Sequence, residues 1–215
     1  MAALVEIVLL TLRVSAIALC MATLLGVPIG AWLGLSNFRG RRYVIGLIYT
    51  GMGLPPVVVG LVVYIVLSRS GPLGSLGWLF TPAAMVTAQM IIALPLIAGI
   101  SMAAVDSLDP SIRLQLKSLG SSDGQELMGV LVEARSGVFA GIVAGFGGII
   151  SEVGAAMLVG GNIDGKTRIL STAIVLETRR GNFGFGLALG GVLLSLAFIV
   201  NFMLMRLESG WRRQI

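Results

Sequence analysis

The sequence predicts an all-α fold: one polytopic membrane domain over residues 1–215, with about five transmembrane helices. Composition is the first reason. Of the 215 residues, 56% are hydrophobic and 12% are charged, whereas about 25% are charged in an ordinary soluble domain. Glycine is also abundant, at 30 residues, and membrane helices use small residues where their backbones approach closely. A soluble domain of this composition would expose a large apolar surface to water.

Five apolar runs each have close to the ~20 residues that a bilayer crossing requires, and spanning segments must be helical to satisfy their own backbone groups. The first run contains Glu6 and Arg13, so we predict its spanning part over residues 14–35. It lacks a leading basic cluster and exceeds the length of a signal peptide, and we expect a retained helix. The other predicted spans are residues 43–67, 82–105, 138–159 and 183–205.

Glycines at four-residue spacing recur in three of these runs. Such spacing places small residues on one face of a helix, where a neighbouring helix can approach. The sequence therefore predicts close helix packing at three stripes: Gly26, Gly30 and Gly34; Gly137, Gly141 and Gly145; and Gly186 and Gly190.

The charges between the spans predict the orientation of the chain. One side holds Arg39, Arg41, Arg42, Arg113, Lys117, Arg135, Arg206, Arg212 and Arg213. The other side holds Arg13, Arg69, Lys166, Arg168, Arg179 and Arg180. Because cytoplasmic loops carry an excess of Lys and Arg, we predict the amino end outside and the carboxyl end in the cytoplasm.

The segment between the third and fourth spans, residues 106–137, is the most informative polar stretch. Asp109 precedes a proline, a pattern typical of a helix amino terminus. Gly120 predicts the end of that helix, and Ser122 and Gln125 have the spacing of a capping box that opens a second one. Two short cytoplasmic helices hinged at a glycine indicate a docking element. A connector lying on the membrane surface is the alternative.

The run Lys117-Ser118-Leu119-Gly120-Ser121-Ser122 resembles a cytoplasmic motif of ABC importer permeases, which reads Glu-Ala-Ala, three residues, then Gly. Leucine, glutamine and leucine stand here in place of Glu-Ala-Ala, and the later Ile-x-Leu-Pro element is replaced by Val-Leu-Val-Glu. In that family the helix of this motif inserts into a cleft of the ATPase. The resemblance implies that the ATPase-coupling residues are Lys117, Ser118, Leu119, Gly120, Ser121, Ser122 and Asp123.

Three further segments resemble permeases for oxyanions. Residues 53–60, Gly-Leu-Pro-Pro-Val-Val-Val-Gly, look like the proline-broken second core helix of molybdate-type and tungstate-type permeases. Residues 150–163 are similar to the signature that follows the coupling region, and residues 172–183 look closer to tungstate permeases. The resemblance covers nearly the whole chain. It implies a type I ABC importer permease core in an ATP-driven oxyanion importer, with tungstate favoured and molybdate or sulfate as alternatives.

The same resemblance implies partners and a location. The expected assembly is a homodimer in a prokaryotic inner membrane, surrounded by lipid. A cytoplasmic ABC ATPase dimer would carry ATP and Mg, and an extracytoplasmic protein would deliver the oxyanion. This chain would bind no cofactor and catalyse no reaction. A secondary anion transporter or channel is the alternative class. A lone intramembrane acid and no evident repeat disfavour it.

Candidate pathway or gate residues lie where helices are broken or polar. The proline pair removes backbone donors inside a span and predicts a broken helix beside a pathway. Glu152 is an acidic residue well inside a predicted span, where a carboxylate costs roughly 2.5–3.5 kcal/mol. We favour structural pairing for it over contact with an anion, because like charges repel. The candidates are Pro55, Pro56, Val57, Glu152, Gly154, Gly161 and Asn162.

Four cations on the predicted outer side form a second candidate set: Lys166, Arg168, Arg179 and Arg180. Their positive potential would attract an anion to the mouth of a pathway. Contact with lipid headgroups, or with an acidic surface of the delivering protein, is an equally good interpretation. The two roles are compatible.

Other functions are disfavoured by composition and context. The run from Gly160 to Thr167 satisfies the Walker A pattern, but that motif requires a preceding strand, and an apolar membrane segment precedes it here. We therefore interpret the match as coincidental. No histidine and a single cysteine, Cys20, argue against a metal site and a disulfide framework. The net charge is +5, but the Lys and Arg residues are distributed between the loops as in a membrane protein, so the charge does not predict a nucleic-acid partner.

Overall fold

Ten helices make up the part of the chain that the computed structural model describes, residues 2–212. They are α1 (Ala2–Leu35), α2 (Arg41–Met52), α3 (Pro56–Leu67), α4 (Pro82–Asp106), α5 (Pro110–Ser118), α6 (Asp123–Glu133), α7 (Arg135–Ile150), α8 (Gly154–Gly160), α9 (Leu170–Arg179) and α10 (Phe183–Arg212). A short 3-10 turn covers Gly74–Leu76. Arg213, one of the charges used for orientation, lies outside the described residues.

Within the described residues, three helices are long and apolar enough to cross a membrane, and the number rises to five if each of two bent pairs counts as one span. α1, α4 and α10 are each long and apolar enough to cross a bilayer. Two bent pairs, α2 with α3 and α6 with α7, also pass as single spans, with bends of 101° and 74°. The predicted all-α, polytopic fold with several apolar spans is therefore confirmed. The second bent pair differs from the predicted fourth span, because it joins α7 to α6 rather than to α8.

α4 is the central helix, and α1 and α7 pack along it through the glycine stripes. A Cβ added to Gly30 of α1 would overlap the backbone of Ala98 and Met102 in α4. A Cβ at Gly145 of α7 would lie 2.8 Å from a side-chain carbon of Ile97. The glycines of α1 and α7 therefore lie directly against the backbone and side chains of α4, an approach that a larger residue would prevent. The third stripe differs, since no described atom lies within 4 Å of a Cβ placed at Gly190.

Two of the predicted spans contain breaks. The second predicted span is divided between α2 and α3 at residues 53–55, which we call the α2–α3 break; Pro55 and Pro56 produce it, with Pro56 in the first turn of α3. The fourth predicted span was expected to be continuous over 138–159. It is instead interrupted at residues 151–153, the α7–α8 break, where the Glu152 side chain accepts a hydrogen bond from the Ala155 amide in the first turn of α8.

The outer spans also extend beyond their predicted limits. α1 begins at Ala2 and includes both charged residues of the first run. Glu6 and Arg13 are accommodated because they line a cavity shared with the loop before α9. α10 continues past residue 205 to Arg212. Hydropathy marks where lipid contact is favourable and does not mark where a helix ends.

Candidate translocation site and coupling hairpin

The α2–α3 break and the α7–α8 break meet beside the middle of α4. Together they border a cavity of about 320 Å³, which we call the mid-membrane cavity. Pro55 and Pro56 line one wall, Ile92 of α4 lines another, and Ser151 and Glu152 supply polar groups. The walls are otherwise mostly apolar, as is usual for a small-molecule site with a few placed polar groups. Broken helices at membrane depth are tolerated where protein or a cavity covers the free backbone groups.

Glu152 is the buried acid of this cavity, with 7% of its surface exposed. Its Oε1 accepts a hydrogen bond from the backbone amide of Ala155 at 2.7 Å, at the first turn of α8. Its backbone carbonyl accepts a hydrogen bond from the hydroxyl of Ser171 in α9 at 2.9 Å. The carboxylate thus satisfies an otherwise free amide at a helix start, where negative charge is stabilised. It thereby fixes the start of α8.

The other pathway candidates divide into two groups. Val57 of α3 lies against Gly154, where a side chain would overlap it, so α3 and α8 pack tightly beside the cavity. Gly161 and Asn162 lie at the opposite end of α8 and are not among the residues that line the cavity. Both have positive φ, +71° and +51°, and Gly161 lies against the ring of Phe80. The structure brings the first five candidates together and leaves these two apart.

Thr167, the last residue of the Walker-like run, has a structural role. It is fully buried. Its hydroxyl donates to the carbonyl of Gly160 at 2.6 Å and accepts from the amide of Ile163 at 2.9 Å. The run follows helix α8 rather than a strand, and the described residues include no strand at all. These hydrogen bonds close the loop on itself, so its geometry is not that of a phosphate-binding loop.

The four outer cations do not form one cluster. Lys166 and Arg168 line a cavity of about 270 Å³ with Glu6 and Arg13 of α1, and Arg168 is held by Asp164 at 2.7 Å. The other two, Arg179 and Arg180, lie at the end of α9 and are exposed. Arg13 was not a predicted site residue. A charged residue inside an apolar run does, however, indicate that polar groups lie nearby.

α5 and α6 form a helical hairpin, residues 110–133, which we call the coupling hairpin after its predicted role, and both helix starts are as predicted. The amide of Ser111 donates to Oδ1 of Asp109 at 2.8 Å, and the amide of Ser122 donates to Oε1 of Gln125 at 2.9 Å. The hydrogen bonds from the Ser111 backbone and side chain hold the pKa of Asp109 below its ordinary value of 3.8. Asp109 is therefore ionised at neutral pH, and its contribution is lost only as the pH falls through this lowered pKa.

The predicted coupling residues form the tip of the hairpin: Lys117 and Ser118 end α5, Leu119 to Ser122 connect the helices, and Asp123 begins α6. Gly120 has a φ of +76°, a conformation that L residues rarely adopt. Leu114 and Leu119 are 69% and 84% exposed. Apolar side chains this exposed, on a polar hairpin, indicate a contact surface for a partner.

Glu126 lies between the two helices of the hairpin and was not a predicted site residue. It is 6% exposed. Its carboxylate is 2.9 Å from Nε of Arg113 and 3.6 Å from Nζ of Lys117. The sequence did contain evidence for this pairing. Two helices that fold back at Gly120 bring Arg113 and Lys117, before the turn, close to Glu126, after it.

Solved structures confirm the architecture. One chain of the MetNI methionine ABC transporter in inward-facing conformations superposes with a TM-score of 0.77, covering 98% of this chain and 97% of that one, at 19% identity. A chain of an amino acid ABC transporter gives a TM-score of 0.62 at 15% identity, covering 100% of this chain and 94% of that one. The fold is therefore that of a type I ABC importer permease.

Sequence relatives are considerably more similar. A probable anion ABC transporter permease protein of Haloferax volcanii is 44% identical, covering 92% of this chain and 88% of its own. The tungstate uptake system permease protein TupB of Peptoclostridium acidaminophilum is 38% identical, covering 94% and 89%. TupB of Campylobacter jejuni is 36% identical, covering 80% and 72%. Residues 26–213 match the family described as binding-protein-dependent transport system inner membrane component. The chain belongs to this family of ABC transporter permeases.

Proposed function

We propose that this chain is the permease subunit of an ATP-driven importer whose substrate is tungstate. The observation that carries the proposal is a difference in similarity. Two relatives named as tungstate uptake permeases are 38% and 36% identical. Relatives named for molybdenum in Azotobacter vinelandii and Haloferax volcanii are 26% and 32% identical over 91% and 72% of the chain, and one named for sulfate in Synechocystis is 28% identical over 91%. Molybdate and sulfate are therefore the alternative substrates.

The translocation pathway lies between two copies of the chain in this proposal. Gly53, Leu54 and Pro55 border the mid-membrane cavity and are exposed in a single chain. A charged anion cannot cross while its pathway is open to lipid. A second copy facing this side would close the cavity with protein. Pro55, Pro56, Val57, Glu152 and Gly154 then border the pathway, while Gly161 and Asn162 belong to the closure at its outer end.

ATP hydrolysis takes place on a separate ATPase dimer, which binds ATP and Mg. The coupling hairpin contacts this ATPase through residues 117–123 and through the exposed Leu114. When the ATPase dimer closes, it moves the hairpin, and the permease helices switch access from one side of the membrane to the other. The chain itself catalyses no bond chemistry and binds no cofactor.

The proposed orientation follows from these contacts. The hairpin and the end of α10 face the cytoplasm, and the start of α1 faces outward, in a prokaryotic inner membrane. The outer face then carries Lys166, Arg168, Arg179 and Arg180. These cations raise the local concentration of an anion and offer a docking surface to an acidic face of the oxyanion-binding protein. Arg168 contributes least, because Asp164 already neutralises it.

Tungsten accumulation tests the substrate. Cells with and without this gene are grown in trace tungstate, and cellular tungsten is measured by elemental analysis. We expect deletion to remove high-affinity accumulation, and a plasmid copy to restore it, even with molybdate or sulfate in excess. Unchanged accumulation after deletion would contradict the substrate assignment. Complete suppression by molybdate would support the molybdate alternative.

A further inference from the structure

Glu126 is buried although the residues before it on α6 are exposed. Its two cationic partners, Arg113 and Lys117, are four residues apart on α5 and therefore lie on one face of that helix. One carboxylate thus contacts two turns of α5 at once, at 2.9 Å and 3.6 Å. A buried carboxylate is tolerated only when it is paired in this way. We call this arrangement the Glu126 clamp.

Few other contacts hold α5 in place. α5 contributes no buried residue within the described part of the chain. Its apolar contact runs through Leu116, which is partly buried, packs against the cluster of Ala31, Val105, Val130 and Ala134, and lies 2.9 Å from a Cβ built on Gly129. To this contact the Glu126 clamp adds a charged link that ties two turns of α5 to α6.

α6, in contrast, is anchored in the bundle. Val130 and Ala134 are 1% and 4% exposed and pack with Ala31 of α1 and Val105 of α4. α7 follows α6 directly and leads to the α7–α8 break. A force applied to α5 reaches this path through the clamp.

We propose that Glu126 is a positioning residue that fixes the angle of α5 on α6, so that motion of the docked ATPase is delivered to the membrane helices. This inference rests on the proposed function, in which the hairpin receives that motion. Without the clamp, α5 still forms, because Asp109 caps it locally. It then tilts independently, so ATP is hydrolysed without a matching movement of the pathway.

The test measures tungstate imported per ATP hydrolysed. The complete transporter, containing this chain, its ATPase and its binding protein, is reconstituted in proteoliposomes with wild type, Glu126→Gln or Glu133→Gln. Glu133 is the matched control, because it is an exposed acid at the end of the same helix. For Glu126→Gln we expect normal assembly, continued ATP hydrolysis and a fall of about tenfold in import per ATP. For Glu133→Gln we expect the wild-type ratio.

An unchanged ratio in Glu126→Gln would overturn the inference. So would a proportional fall of import and hydrolysis in a fully assembled Glu126→Gln transporter, because the two activities would then still be coupled without the clamp. If Glu126→Gln does not assemble at all, Arg113→Gln carries the test, since Lys117 still pairs with the carboxylate. A lowered ratio in Arg113→Gln supports the clamp and a wild-type ratio refutes it.

A double variant provides the second readout. If Arg113 and Glu126 act as one pair, Arg113→Gln with Glu126→Gln lowers the ratio no further than Glu126→Gln alone. Additive losses would contradict a shared role. The two proposals fail differently: a wild-type transporter that imports no tungstate contradicts the proposed function, whereas normal wild-type coupling with unaffected variants contradicts only the clamp.

Discussion

Glu152 joins three helices at the wall of the mid-membrane cavity. Its side chain caps α8, and its carbonyl accepts the Ser171 hydroxyl of α9. From the sequence, Glu152 is an unusual intramembrane acid that is expected to pair, but within a continuous span over residues 138–159. The partner of the Glu152 carboxylate is the backbone amide of Ala155, three residues away. The hydropathy of a sequence does not show which backbone amides bond to side chains.

Two substitutions of Glu152 distinguish the contribution of its hydrogen bond to the Ala155 amide from the contribution of its negative charge. Glu152→Ala removes the acceptor for the Ala155 amide and should lower the free energy of unfolding by about 1 kcal/mol. Glu152→Gln retains a carbonyl acceptor and should keep most of that stability. Thermal unfolding of the purified chain in one detergent measures both. Equal losses in the two variants would show that the negative charge, and not the cap, provides the stabilisation.

At the scale of helices, local signals predicted best. The starts of α5 and α6 and the positive φ of Gly120 follow from residues within one turn of each other. The α2–α3 break follows from two prolines. The α7–α8 break did not follow, because the residue pattern does not show that the Glu152 side chain bonds the Ala155 amide. The early start of α1 did not follow, because Glu6 and Arg13 share a cavity with residues 164–168, far along the chain.

The close contact between α1 and α4 predicts that a larger residue at Gly30 lowers the stability of the chain. Gly30→Ala places a methyl group on the backbone of α4 and should destabilise the chain by roughly 1–3 kcal/mol. Gly190→Ala is the control, because no described atom lies within 4 Å of its new Cβ. The Gly190→Ala variant should be as stable as wild type or slightly more stable, because alanine has a higher helix propensity than glycine. Thermal unfolding midpoints compare the two, and equal midpoints would show that α1 and α4 are not packed as described.

At the scale of the whole molecule, the architecture and the substrate rest on different grounds. Composition and the five apolar runs were enough to predict a polytopic bundle. The mid-membrane cavity, however, is largely apolar, and its buried acid, Glu152, would repel an anion. Its chemistry therefore does not select an oxyanion, and the proposal of tungstate depends on sequence relatives.

ATP is the source of energy for transport in the proposed function. The most direct measurement is tungstate uptake into proteoliposomes that contain the complete transporter, with ATP enclosed on the ATPase side or with an imposed proton or sodium gradient instead. We predict uptake with ATP and none with a gradient alone. Gradient-driven uptake by this chain without ATPase or ATP would contradict the account and identify a secondary transporter.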